Sequence, residues 1–575
     1  MAKILGEARR SQLVTTYGVG AIIAIEDESF MVAGLDQWDA ADQDLWINEP
    51  RLEKHCRVKH FVLPAASGDD KKDDVPVIRF PRWYSCSECS ELDQHRILST
   101  ARDSSECADC RAALVPSRFV MVCEGGHIDD FPYSAWVHGR NGAKEGTHRL
   151  QMTTLGVTAS LRDIVIRCSC GASRSMEGAF RRNALKDLAW CSANQPWLGR
   201  NDPDGCTRIP RVLQRGASNV WFSIVESAIS IPPWSEEVFK VLNRHWEVIR
   251  HVPDEAVIGV LTGMGLDQAT GYTIEELAEA VRDRREAEGA ATEVDAGVIK
   301  DQEYTALTRG RTQRSAKQDF VCLPAPQLTA WVAGAFRSVM VVKRLREVRV
   351  LSSFTRVREP EATDVDERIS PLARERLSWL PAIEVVGEGL FLELSPDRLA
   401  EWEQQPRLQQ RVTVLRENAR TREQGKSATL SSRISPRLVL THTLAHLLIN
   451  QWSLECGYPA ASLRERLYVN DDHAGMLIYT ATSDSAGSLG GLISQANQDR
   501  LEPSLRSALA SAAWCSSDPL CIESDAGGTD ALNLAACHCC ALLPETSCEE
   551  MNLLLDRAAL IGIPGRFTGY FQELA

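Results

Sequence analysis

Absences narrow what this 575-residue chain can do. No apolar run reaches the roughly 18 residues that a membrane span needs. The opening Met1-Ala2-Lys3-Ile4-Leu5-Gly6-Glu7 lacks the apolar core of a secretory signal, so the expected location is the cytoplasm, with no membrane partner. A nucleotide-binding loop is also missing. Gly425-Lys426-Ser427 ends like a Walker A motif, but Arg420 stands where its first glycine belongs and no strand precedes it. His442 and His446 lie at i and i+4, yet Thr443, Leu444 and Ala445 fill the interval, so the glutamate of an HExxH protease is absent. There is no excess of positive charge either: the formal net charge is -14. Any contact with nucleic acid must therefore come from a local basic surface, not from the long-range field of the whole chain.

Cysteine is abundant, at 18 residues, and it is clustered. In a reducing compartment such clusters favour metal over disulfides. Cys86-Ser-Glu-Cys89 and Cys107-Ala-Asp-Cys110 place two CxxC turns within 25 residues. Each turn can aim two sulfurs at one ion, and the interval is long enough to bring the turns face to face in a closed tetrahedral zinc ribbon. A second site is expected from Cys168, Cys170, Cys191 and Cys206, with Cys123 and His127 as reserve ligands in the spacing Cys-x3-His. The tail carries Cys515, Cys521, Cys537, His538, Cys539, Cys540 and Cys548; of these, Cys521, Cys537, Cys540 and Cys548 are the expected third set, built on one CxxC turn and two flanking thiols. About three structural Zn2+ ions are thus expected. Each four-thiolate site adds four negative and two positive charges, which would carry the net charge to about -20.

The composition, 44% hydrophobic and 25% charged, is that of a globular protein too long for one core. We expect an α+β multidomain protein. Its segments are a β-rich unit over 1–80, the zinc ribbon over 81–120 and a second zinc-binding module over 121–216. A mainly helical region with a charged linker follows over 217–330, then a basic α/β segment over 331–400 and a zinc-bearing C-terminal domain over 401–575. Strands are predicted at Gly20–Ile25, Arg118–Cys123, Leu161–Arg167 and Gly475–Thr480. A long buried helix is predicted from Ser435 as N-cap and Pro436 in the first turn, through Leu440, Leu444, Leu447, Leu448 and Trp452, to a stop at Gly457. The glycines of Gly487-Ser-Leu-Gly-Gly491, ahead of a further helix, offer a turn able to cradle a phosphate.

A basic stripe runs through Arg337, Lys343, Arg344, Arg346, Arg349, Arg356 and Arg358, interleaved with apolar residues. It suits backbone-mediated, sequence-independent contact with DNA phosphates. An equally admissible reading is a solvated face with internal ion pairs. From another class, His442 and His446 with a nearby acid would serve a metal-dependent hydrolase or nuclease, although as histidines on a helix face they also fit a core.

Several strings taken together resemble one family along nearly the whole chain. They include Tyr17-Gly-Val-Gly-Ala21, Arg79-Phe-Pro-Arg-Trp83, Gly126-His-Ile-Asp-Asp-Phe131 and Arg215-Gly-Ala-Ser-Asn219, followed by Thr441-His-Thr-Leu-Ala-His446 and Ala536-Cys-His-Cys-Cys540. The family is DrmB, the zinc-containing core subunits of the DISARM anti-phage defence system, whose C-terminal part is similar to a zinc-bearing domain at the end of some DNA-repair helicases. The resemblance implies a non-catalytic DNA-binding subunit that works beside a separate superfamily 2 helicase, DrmA, with zinc as its cofactor. It also implies that the family's C-terminal cysteines correspond to Cys521, Cys537, Cys540 and Cys548.

Overall fold

The computed structural model describes residues 5–66, 74–101, 104–139, 148–156, 160–235, 237–243, 245–270, 272–289, 294–313, 318–360, 369–422, 430–480, 490–524, 527–528 and 531–572. Gly425-Lys426-Ser427 and most of the Gly487 loop lie outside them. The chain forms two compact units, each drawn from separate stretches of sequence. One comprises Met1–Asn48, Cys56–Glu226 and Arg349–Ile383; the other comprises Glu49–His55, Ser227–Val348 and Glu384–Ala575. Helices and strands both contribute throughout. Among the described residues, no helix is long and apolar enough to cross a membrane.

The first unit is built from antiparallel sheets. A six-stranded sheet runs in the order Ser173–Ser175, Ile164–Cys168, Leu150–Thr154, Glu91–Gln94, Trp83–Cys86, Leu114–Pro116. The ribbon and the Cys168 knuckle therefore share one sheet, joined where Leu150 pairs with Leu92 and Gln151 with Glu91. A three-stranded sheet places Phe119–Val122 between Ile128–Asp130 and Arg211–Gln214. Its apolar residues join a core of Phe119, Met121, Phe131, Tyr133, Trp136 and Ile166. The ribbon's own core is small, only Tyr84, Cys86, Leu98, Cys107 and Leu114, and two of its five members are cysteines of the cluster. So small an apolar cluster leaves folding dependent on cross-links, and a metal is one.

In the second unit, helices from Glu237–Asn243 to Ala296–Arg309 make up the expected helical region. Phe239, Leu242, Trp246, Ile249, Val257, Leu261 and Leu277 close its core. The strand Trp379–Leu394 pairs through residues 389–393 with Ala474–Thr480, which pairs in turn with Leu463–Val469. Gly389 is required at that contact, because a Cβ there would stand 2.5 Å from the Ile478 carbonyl oxygen. The helix Pro436–Cys456 packs on these strands. Its Ser435 cap accepts from the Leu438 amide at 3.2 Å, Pro436 occupies the first turn, and Gly457 ends it in the left-handed conformation. Leu440, Leu444, Leu448 and Trp452 are fully buried, and the Trp452 indole donates to Ser504 Oγ at 2.9 Å.

The basic stripe lies largely on one strand, Phe336–Thr355, and most of that strand is buried. Arg346 is only 5% exposed and is held by Glu384, Glu49 and Asp319. Arg349 and Arg356 are buried as well. The Arg356 guanidinium donates to the carbonyls of Gly126, Val220 and Gly20 at 2.9, 2.7 and 2.8 Å, and it lies over the rings of Trp197 and Phe354. Arg346, Arg349 and Arg356 are thus interior residues, not a phosphate-binding surface, and for these three the sequence expectation is corrected. Carboxylates draw Arg346 inward and carbonyls draw Arg356 inward, both delivered by distant segments. Of the remaining stripe, Arg337 and Lys343 are exposed, Arg344 is half-buried, and Arg358 pairs with Glu124 at 3.2 Å.

Candidate metal centres

Among the described residues, five groups of cysteine, histidine and glutamate side chains bring their donor atoms within 4.8 Å of one another. Thiolates about 2.3 Å from a zinc ion at tetrahedral angles stand roughly 3.8 Å apart, which gives the scale for judging them.

Cys86, Cys89, Cys107 and Cys110 form the first group, as the spacing predicts. The Cys86–Cys110 and Cys89–Cys107 sulfurs are 3.3 and 3.9 Å apart. The two knuckles repeat one construction. The amide of Ser90 donates to the Cys86 carbonyl and that of Arg111 to the Cys107 carbonyl, and both Ser90 and Arg111 adopt positive φ, at 61° and 62°. The turn that closes each CxxC thereby points both of its sulfurs to one side.

The second expected set is not assembled. Cys191 and Cys206 converge instead with Cys123 and His127, while Cys168 and Cys170 meet His138 and His148. Strand register explains the partition. Arg211 pairs with Val122, so the chain entering that strand brings Cys206 beside Cys123, 3.9 Å away. Ile128 also pairs with Val122, which folds Cys123–His127 into a tight loop with Gly126 at φ 81°. Cys191 lies 3.5 Å from Cys123 and 3.7 Å from His127 Nδ1. Asp202 Oδ2 holds the other ring nitrogen of His127 at 3.0 Å, the arrangement that fixes a ligating imidazole. Leu150 pairs with Cys168, so the residues ahead of Leu150 meet the knuckle, and His148 Nδ1 sits 3.1 Å from Cys168 Sγ. His138 ends the helix Tyr133–His138, and its Nε2 is a buried atom without a hydrogen-bond partner. The sequence signals for both groups were Cys-x3-His and the histidines upstream of the CxC.

In the tail, Cys515 takes the place expected of Cys548. Cys515, Cys521, Cys537 and Cys540 converge, with Cys515–Cys537 at 3.5 Å and both Cys521–Cys540 and Cys537–Cys540 at 3.8 Å. Cys515 reaches the group because the helix Gln498–Ala512 ends just before it, and Asp518 Oδ2 accepts from its amide. The exposed Cys539 stands outside. Cys548 is held elsewhere: the turn Glu545–Ser547 is tied to Ala460 through Ser547 Oγ, and the Glu549 amide donates to Glu465. Cys548 therefore joins His442, His446 and Glu465 in a fifth group, every member of which is buried.

Crowding sets the electrostatics. A hydrogen bond with Cys123, together with burial, pushes the Cys206 thiol up to about 12, burial with neighbouring thiols lifts Cys89 to about 12, and burial, aided by the nearby Cys537, lifts Cys521 to about 11. A divalent cation at the centre of such a group reverses this, because coordination deprotonates the thiol outright. The donor sets, mostly sulfur with imidazole nitrogen, fit zinc.

Residues 444–541 match the MrfA Zn-binding domain, and the four tail cysteines all fall inside that segment. Residues 9–222, which contain the first three groups, match a domain of unknown function, DUF8724. The DISARM protein DrmB of Bacillus paralicheniformis is 31% identical over 574 residues, covering 95% of this chain and 99% of the relative. This chain belongs to the DrmB family. Within that DISARM family its C-terminal part is the zinc-binding domain, with Cys515, Cys521, Cys537 and Cys540 as the donor set that fits the ion.

Proposed function

We propose that this DrmB-family protein is a non-catalytic, zinc-stabilised DNA-binding subunit that works beside a separate superfamily 2 helicase in defence against phage. The observation that carries the reading is membership of a DISARM family along 95% of the chain, in a sequence that lacks a complete nucleotide-binding motif. A subunit of that kind takes its motive force from a partner. Zinc supplies structural cross-links: it holds Cys86, Cys89, Cys107 and Cys110, the Cys123 and Cys515 groups, and so the modules that face the partners.

With Arg346, Arg349 and Arg356 interior, DNA contact falls to exposed cations. Arg337 and Lys343 remain on the second unit. On the first, the stretch around and after the Cys168 knuckle exposes Arg162, Arg167, Arg181, Arg182 and Lys186, with Phe180 and Trp190 also exposed, at 38% and 51%. Guanidinium groups beside accessible aromatic rings suit a single strand, whose phosphates they neutralise while the rings stack on bases.

The test is co-expression with a superfamily 2 helicase of a DISARM system, followed by DNA mobility shifts with and without it across a salt series. Retention on the tagged helicase and salt-dependent DNA binding support the reading. ATP hydrolysis by the isolated subunit, or neither co-purification nor DNA binding, overturns it.

A further inference from the structure

The geometry points to a closed zinc site in the C-terminal domain formed by His442, His446, Glu465 and Cys548, separate from the four-cysteine cluster. The two histidines are one turn apart on Pro436–Cys456, Glu465 lies on Leu463–Val469, and Cys548 follows the turn Glu545–Ser547. His442 Nε2 is 3.1 Å from Glu465 Oε1 and 3.2 Å from Cys548 Sγ, and His446 Nε2 is 3.6 Å from the same carboxylate oxygen. For two nitrogens, one oxygen and one sulfur at zinc distances, the tetrahedral edges are roughly 3.3–3.6 Å.

Hydrogen bonding alone does not account for this convergence. His446 Nδ1 is 2.7 Å from the Ala541 carbonyl, which places the proton there and leaves a lone pair on Nε2 aimed into the cluster. That Nε2 has no hydrogen-bond partner, nor has Glu465 Oε2, and both atoms are buried. His442 Nε2 carries at most one proton, yet a carboxylate and a sulfur both face it. Lone pairs directed at one another in a dry interior are what a cation organises. The Asn552 amide donates to Cys548 Sγ at 3.2 Å, as the Gly125, Ser517 and Cys537 amides donate to sulfurs of the cysteine clusters.

The charge balance suits burial. One divalent ion with one carboxylate, one thiolate and two neutral imidazoles is neutral overall, whereas a four-thiolate site retains two negative charges. His442, His446 and Glu465 are at most 1% exposed and Cys548 is 6% exposed. Four protein donors leave no position for water or substrate, so the site is a clasp and not the hydrolase that the histidine pair alone suggests. It fastens the chain around Cys548 to the long helix and the adjacent strand.

The full-length protein, purified without chelators, is assayed for zinc by mass spectrometry. Glu465→Gln and Cys548→Ser should each hold one zinc fewer per chain than the wild type, and Cys539→Ser should hold the same number. Unchanged zinc in the folded Glu465→Gln protein overturns the proposal. Should both variants fail to fold, crystals of the wild type decide. An anomalous peak at the zinc edge between the four donor atoms supports the site, and a map without one, or with the edge of another metal, overturns it.

Discussion

Arg356 and Gly126 are joined by a hydrogen bond of 2.9 Å from the guanidinium Nε to a carbonyl in the loop between Cys123 and His127. A fully interior cation thus braces the backbone of a metal-binding turn. Gly126 N donates to the Cys123 carbonyl while its own carbonyl is held by Arg356, so the loop is fixed from both sides.

Arg356→Ala should therefore act on stability. The interior carbonyls of Val220 and Gly20 lose their donor, while Gly126 keeps only Ser370 Oγ at 3.3 Å, and two unsatisfied carbonyls cost about 3 kcal/mol or more. Lysine, a single ammonium without the guanidinium fork, should recover little of this. Urea unfolding of the two variants measures it. A well-folded Arg356→Ala protein with reduced DNA affinity would instead return this residue to the surface role.

Asp202→Asn should leave the fold in place and loosen the ion bound by Cys123, His127, Cys191 and Cys206. Loss of a carboxylate that orients a ligating imidazole typically reduces metal affinity 10- to 100-fold. Competition with a chromophoric chelator reads the change directly, and an affinity equal to the wild type would show that the Asp202 carboxylate does not tune a zinc-bound His127.

Cys515→Ser should remove one zinc and lower the melting temperature of the C-terminal domain, because the apparent binding energy of a structural zinc, about 10–16 kcal/mol, is part of the folding energy of its module. Cys539→Ser, at an exposed thiol, should do neither. Equal zinc content in the two variants would contradict the grouping seen in the tail.

Replacing Arg167, Arg181 and Arg182 together by alanine should weaken DNA binding and reduce the slope of log affinity against log salt by about 2 on a single strand, roughly 0.7 for each lost contact. Thermal stability should barely change, since all three side chains are exposed. Gel shifts at several salt concentrations test this. An identical slope would place the DNA surface elsewhere.

Local grammar made the ribbon and the long helix readable in the sequence. Two CxxC turns need only each other, and Ser435, Pro436 and Gly457 mark helix ends through contacts within a few residues. The other metal groups depend on pairings that spacing does not encode. Whether Cys168 or Cys123 joins Cys191 is settled by the pairing of Arg211 with Val122 and of Leu150 with Cys168, contacts between strands that ligand spacing does not encode. The place of Cys548 is hidden for the same reason, since Glu465 and His442 are remote in sequence. The arginine stripe misled in a further way. Counting cations along one segment overlooks Glu49, Asp319 and Glu384, which arrive from three others to neutralise Arg346.

The span of the Cys123 group has a consequence for synthesis. Cys206 follows Cys123 by 83 residues, a stretch that takes roughly 4–17 s to translate at about 5–20 residues per second. During that interval the nascent chain carries an incomplete set of thiols, so this ion can be fully enclosed only after Cys206 has been made.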